Sequence, residues 1–119
     1  MKFQPPLRTG LTIGALVLCL LAIASTPSAA GDVTNGRKLA AAKCQLCHGL
    51  DGQAKLPAAP NLSGQVEGYL LAQLQAFRSG ARKNDMMLLV VPKLSDNDMA
   101  DLAAYYAAIE VKIGKVPGQ

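Results

Sequence analysis

Residues 44–48 read Cys44-Gln45-Leu46-Cys47-His48, two thiols three positions apart with an imidazole directly after the second. Three positions span about one turn of helix, which suits two sulfurs bonding two points along one edge of a flat ring system. This is the spacing that forms two thioether bonds to the vinyl groups of a haem and holds the following imidazole under the iron. A neutral imidazole is a good axial ligand for that metal. Cys44 and Cys47 are therefore the candidate covalent attachments, and His48 the candidate axial ligand.

Three other chemistries compete for these residues. A structural zinc site needs four ligands, and beyond residue 30 the sequence offers two Cys and one His. A thioredoxin-like redox pair sits in an α/β pattern, whereas no strand alternation precedes this motif. A disulfide between Cys44 and Cys47 suits an oxidising compartment but gives His48 no task.

His48 is the only histidine, so the second axial position falls to another group. A methionine thioether is the usual alternative and raises the reduction potential. Met86, Met87 and Met99 are available. Met99 falls on a helical apolar stripe, where methionine serves packing. Met86 and Met87 begin an apolar stretch with Leu88, Leu89, Val90 and Val91, which is expected to wrap the far face of the haem and exclude water. One of the two methionines is the candidate ligand.

The elements that must position these groups are helical. Asp32 is placed to cap a helix running to about Lys43, rich in Leu, Ala, Lys and Arg. Gly36 within it costs about 1 kcal/mol relative to Ala, which implies a close packing partner. Residues 49–61 carry Gly49, Gly52, Pro57 and Pro60 and read as an extended loop. A second helix is expected over residues 65–79, with Val66, Leu70, Leu74 and Phe77 as its stripe and Gly80 as its cap. Residues 81–94 read as a loop with room for one helical turn. Ser95 and Asp98 form a capping box for a last helix, with Met99, Leu102, Tyr105 or Tyr106, and Ile109 buried, ending near Lys112. The class is all-α.

Residues 1–30 have a different character. Lys2 and Arg8 precede an apolar run over residues 11–24, and the segment closes on Ser28-Ala29-Ala30, a small-residue cleavage pattern. A cleavable secretory signal is expected, leaving residues 31–119 as one domain in the periplasm. The competing reading, a retained anchor, wants roughly twenty apolar residues. Cys19 would leave with the leader. The chain carries a formal charge of +4 over 119 residues, and two of its basic residues lie in the leader. The domain's surplus of about two positive charges gives no case for nucleic acid. With Tyr69, Phe77, Tyr105 and Tyr106 as its only aromatics, so small a domain is short of core bulk, and a large apolar cofactor would supply it.

From these residues onward the chain resembles the class I bacterial monohaem cytochromes c, and equally one half of the tandem dihaem cytochromes. The likeness covers essentially all of residues 31–119. Beyond the Cys44 to Gly49 motif it includes Pro60-Asn61-Leu62-Ser63-Gly64-Gln65, Phe77-Arg78-x-Gly80, Arg82-x-Asn84, and Leu94-Ser95-Asp96 followed by Leu102-Ala103-Ala104-Tyr105-Tyr106. The resemblance implies three to five helices around one covalent haem c. It implies that Pro60, twelve residues after His48, offers its carbonyl to the second ring nitrogen of that histidine. It also implies that Gly36 meets Tyr105 where the first and last helices cross. Counting back from Leu94, it favours Met87 over Met86 as the axial ligand, although the segment before the methionines is one residue shorter than the family's.

With an imidazole and a thioether on the iron, no position is open for a substrate, and the implied function is electron transfer rather than catalysis. Lys43, Lys55, Arg82, Lys83 and Lys93 are candidates to surround the haem edge and steer acidic partners. The expected partners are redox proteins, either membrane respiratory complexes or a periplasmic oxidoreductase. A free shuttle is the first reading, a relay subunit of a periplasmic dehydrogenase or oxidase the second, and a ligand-sensing haem protein the third.

Overall fold

The computed structural model describes residues 30–118, so the expected export leader lies outside the described residues apart from Ala30. Helices follow in the order α1 (Val33–Lys43), α2 (Gln45–His48), α3 (Glu67–Ser79), α4 (Asp85–Val90) and α5 (Asp96–Ala107), with a 3₁₀ turn at Val91–Lys93. Among the described residues there is no strand, and the all-α expectation holds.

Local chemistry sets several of the boundaries. The Asp32 carboxylate accepts the backbone amides of Thr34 and Asn35 at 2.8 and 3.0 Å, satisfying two of the donors a helix start leaves free. Ser95 and Asp98 form the reciprocal capping box that opens α5. Gly80 ends α3 with φ 79°, a left-handed conformation that a side chain resists.

Helices α1 and α5 cross at Gly36. A Cβ on that glycine would lie 2.6 Å from the Asp101 carbonyl carbon and 2.7 Å from the Tyr105 Cβ, so only hydrogen fits there. The crossing is fastened by the Asp101 carboxylate, which accepts the Asp32 amide and the Asn35 Nδ2, each at 2.7 Å. The poor helix propensity of Gly36 is thus offset by close approach of two helices.

Three boundaries differ from expectation. Helix α3 begins at Glu67, and Val66 is 72% exposed, leaving Leu70, Leu74 and Phe77 as the inward stripe. The expected loop over residues 81–94 contains α4 and the 3₁₀ turn, because the Asn84 side chain caps a helix start. Helix α5 stops at Ala107 instead of near Lys112. The Tyr106 carbonyl accepts the Gly64 amide at 3.0 Å, and the β-branched Ile109, Val111 and Ile113 that follow are poor helix continuers.

The core is thin. Ala40, Leu70, Phe77, Val91, Leu94, Met99, Leu102, Ala103 and Tyr106 form one buried cluster, in which Met99 and Val91 are the largest side chains fully out of solvent. The helices close around a cavity rather than around a solid interior.

Candidate functional site

Helix α1 delivers the chain to the cavity at Lys43, and a single turn, α2, follows. The amides of Cys47 and His48 both donate to the Cys44 carbonyl, at 3.2 and 3.0 Å. That wraps residues 44–48 tightly enough to put Cys44, Cys47 and His48 on one cavity wall. Gly49, at φ 73°, turns the chain away, and the Lys55 amide returns to the Cys47 carbonyl at 2.8 Å. Among the described residues, Cys44 and Cys47 form no disulfide. Burial pushes the Cys44 thiol up to about 11 despite the neighbouring Lys43.

His48 is buried, and its Nδ1 lies 3.0 Å from the Pro60 carbonyl oxygen. A carbonyl only accepts, so Nδ1 carries the proton and the Nε2 lone pair is the end available to a metal. The loop that presents Pro60 is itself pinned. The Asn61 Oδ1 accepts the Ala54 amide at 2.8 Å, and the Leu62 amide donates to the Gly52 carbonyl at 2.8 Å. Gly52 has φ 71°, and a Cβ there would lie 2.6 Å from the Ser63 nitrogen.

Two further contacts escaped the sequence reading, one from Tyr106 on this wall and one from Tyr105 behind it. The Tyr105 hydroxyl donates to the Leu50 carbonyl at 2.7 Å, and the Tyr106 hydroxyl to the Gly49 carbonyl at 3.1 Å. Helix α5 is thereby tied to the two residues that follow His48. Burial pushes the Tyr106 phenol well above the usual tyrosine range, which keeps it a donor. The signal available in the sequence was the general one that a buried tyrosine finds a partner for its hydroxyl.

Met86 and Met87 both line the cavity, Met87 half-buried and Met86 60% exposed. Met99 is fully buried in the core and off the wall, the packing place expected of it. Leu88 and Leu89 depart from expectation: they are 38% and 64% exposed and absent from the wall, whereas Val90 and Val91 line it. Because residues 85–90 are helical, successive side chains point to different sides, and the apolar run cannot face the cavity throughout.

The five cations expected at the rim are reduced to two. Lys43 and Arg82 line the cavity. The Arg82 guanidinium sits 4.6 Å over the Phe77 ring and donates to the Gln73 Oε1 at 2.7 Å. Lys55 pairs with Asp51 at 3.0 Å and, like Lys83 and Lys93, lies off the wall.

The cavity measures about 310 Å³ and is lined chiefly by aliphatic and aromatic side chains from α3, α4 and α5. A large apolar group seated there would supply the bulk that the thin core lacks. The donor set on its walls fits a covalent haem: two thiols, an imidazole with one nitrogen already committed to Pro60, and thioethers from a different helix.

Comparison with known proteins gives the same result. The cytochrome c family pattern matches residues 33–108. The chain is 40% identical over 98 residues to cytochrome c4 of Pseudomonas aeruginosa, covering 82% of this chain and 48% of that protein. It is 44% identical over 84 residues to cytochrome c-554(548) of Halomonas halodenitrificans, covering 68% of this chain and all of that protein. The crystal structure of reduced recombinant cytochrome c4 from Pseudomonas stutzeri superposes with a TM-score of 0.61 at 37% identity, over 71% of this chain and 49% of the other. The chain thus spans about half the length of the cytochrome c4 relatives and the full length of the Halomonas protein. An all-α fold with two thiols and an imidazole at one wall of an apolar cavity, matched over most of its length by these relatives, places the chain in the cytochrome c family, among the class I c-type cytochromes.

Proposed function

We propose that the chain is an exported, non-enzymatic one-electron carrier of the periplasm, holding a single haem c through Cys44 and Cys47, with His48 and Met87 as axial ligands and Pro60 behind the histidine. One observation carries this reading: His48, with its Nδ1 committed to Pro60, and Met87 line the same apolar cavity as both cysteines. A bound haem supplies a one-electron couple on its iron. The chain's own residues do the rest. Pro60 fixes the imidazole's tautomer and direction. Leu70, Phe77, Val91 and Leu102 keep water from the cavity, which lowers the local dielectric and the reorganisation that accompanies electron exchange. With imidazole and thioether as the two axial groups, the ligand set leaves no place for a substrate, so exchange runs through the exposed rim, where Lys43 and Arg82 favour an acidic redox partner.

Export rests on residues 1–30, with their basic start, apolar run and small-residue end. Among the described residues no helix is long and apolar enough to cross a membrane. A pyridine haemochrome assay on the exported protein, combined with its mass, tests the haem count and the cleavage after Ala30 together. The ligand assignment is tested by substitution. Met87→Ala is expected to abolish the weak sulfur-to-iron absorption at the red end of the visible spectrum, and Met86→Ala to retain it. The reverse pattern transfers the role to Met86.

A further inference from the structure

We propose that Asn84 is the positioning residue for the axial thioether, acting through the backbone of Met87 rather than by touching the iron. The inference rests on the reading of Met87 as ligand. Helix α4 has six residues, and none of them is fully buried. So short a helix does not hold itself together in water, and its packing supplies little to fix it. Its start is instead set by one side chain. Asn84 is extended, with φ −163° and ψ 124°, and its Oδ1 accepts the amides of Met86 and Met87, each at 3.1 Å. The second of these amides belongs to the proposed ligand itself.

The two N–H donors dictate which end of the carboxamide faces them, so the oxygen is committed to the backbone. At its other end α4 runs into Val91, which is fully buried, and Pro92. The Met87 backbone is therefore held between a side-chain cap and a buried anchor, and the cap is the part that one substitution removes. Asn84 lines the cavity, yet its role here needs no contact with the cofactor.

The test is a titration of the ferric holoprotein with imidazole, followed at the sulfur-to-iron absorption. Imidazole competes with the thioether, so a weaker thioether bond appears as tighter apparent imidazole binding. Loss of an N-cap corresponds to roughly a fivefold change in such an equilibrium. Asn84→Ala is expected to tighten imidazole binding by about that factor, while Asn84→Ser, which keeps a neutral oxygen acceptor, stays within about twofold of the parent. Should Asn84→Ala not accumulate as haem protein, Asn84→Gln, a poor cap of similar polarity, carries the same expectation.

Equal affinities for the parent and the uncapped variant overturn the proposal, as does a Ser variant no better than Ala. Met87→Ala measured alongside separates the two readings. If it loses the absorption while Asn84→Ala leaves imidazole affinity unchanged, the ligand stands and the positioning role falls. If Met87→Ala retains the absorption, the ligand assignment itself falls.

Discussion

The Nδ1 atom of His48 lies 3.0 Å from the carbonyl oxygen of Pro60, so the loop after the haem motif holds the imidazole from behind. The carbonyl fixes the ring's tautomer and makes the opposite nitrogen a better donor to a metal. Pro60→Gly frees the backbone that aims this carbonyl. Weakening such a support costs roughly tenfold in ligation, and acid displaces a histidine by adding one proton. With His48 as the proposed axial ligand, the pH at which acid removes it from the iron is therefore expected to rise by about one unit, read from the loss of the low-spin visible spectrum.

At the α1–α5 crossing the sign of a substitution is set by space rather than by propensity. Gly36→Ala gains about 1 kcal/mol of helix propensity but drives a methyl into the Asp101 backbone and the Tyr105 Cβ. Overpacking against backbone costs about 3 kcal/mol, so net destabilisation is expected. Denaturant unfolding of the holoprotein measures it, and a variant as stable as the parent would show that the helices separate freely.

The tyrosine pair predicts an order of effects. Tyr106 is 3% exposed and its hydroxyl serves the buried Gly49 carbonyl. Tyr106→Phe removes one of that carbonyl's two donors, the Gly52 amide at 3.2 Å remaining, and gives up a hydrogen bond that water cannot reach to replace, at a cost of about 1 kcal/mol. Tyr105 is half-buried and serves the half-buried Leu50 carbonyl, where water can substitute, so Tyr105→Phe costs less. Thermal unfolding of the two variants side by side checks the ranking.

Acid acts on the start of α5. The Asp98 carboxyl is held below the usual aspartate range, chiefly because it accepts the Ser95 backbone amide and then because of the Ser95 hydroxyl. A lowered pKa in the folded state means that this contribution is fully present above the ordinary aspartate pKa and disappears as pH falls through the lower, folded value. Stability below about pH 4 should therefore decline less steeply in Asp98→Asn than in the parent. Identical slopes in the two proteins would remove Asp98 from the acid response.

The sequence by itself determined the features carried by neighbouring residues. The Cys44, Cys47 and His48 spacing, the Asp32 and Ser95 caps and the Gly80 stop were legible because each works within a turn or two of chain. The meeting of Gly36 with Tyr105 and of Pro60 with His48 lies far apart in sequence and was reached through family resemblance rather than from local pattern. Tertiary structure alone decided which faces of those pieces look inward. It turned Leu88 and Leu89 to solvent while Val90 and Val91 line the cavity, and it brought the Tyr105 and Tyr106 hydroxyls to the Leu50 and Gly49 carbonyls. It also brought the Gly64 amide to the Tyr106 carbonyl where α5 ends. The physical reason is common to all three: a side chain's direction and a carbonyl's partner depend on contacts between segments tens of residues apart, and composition and periodicity do not encode such contacts locally.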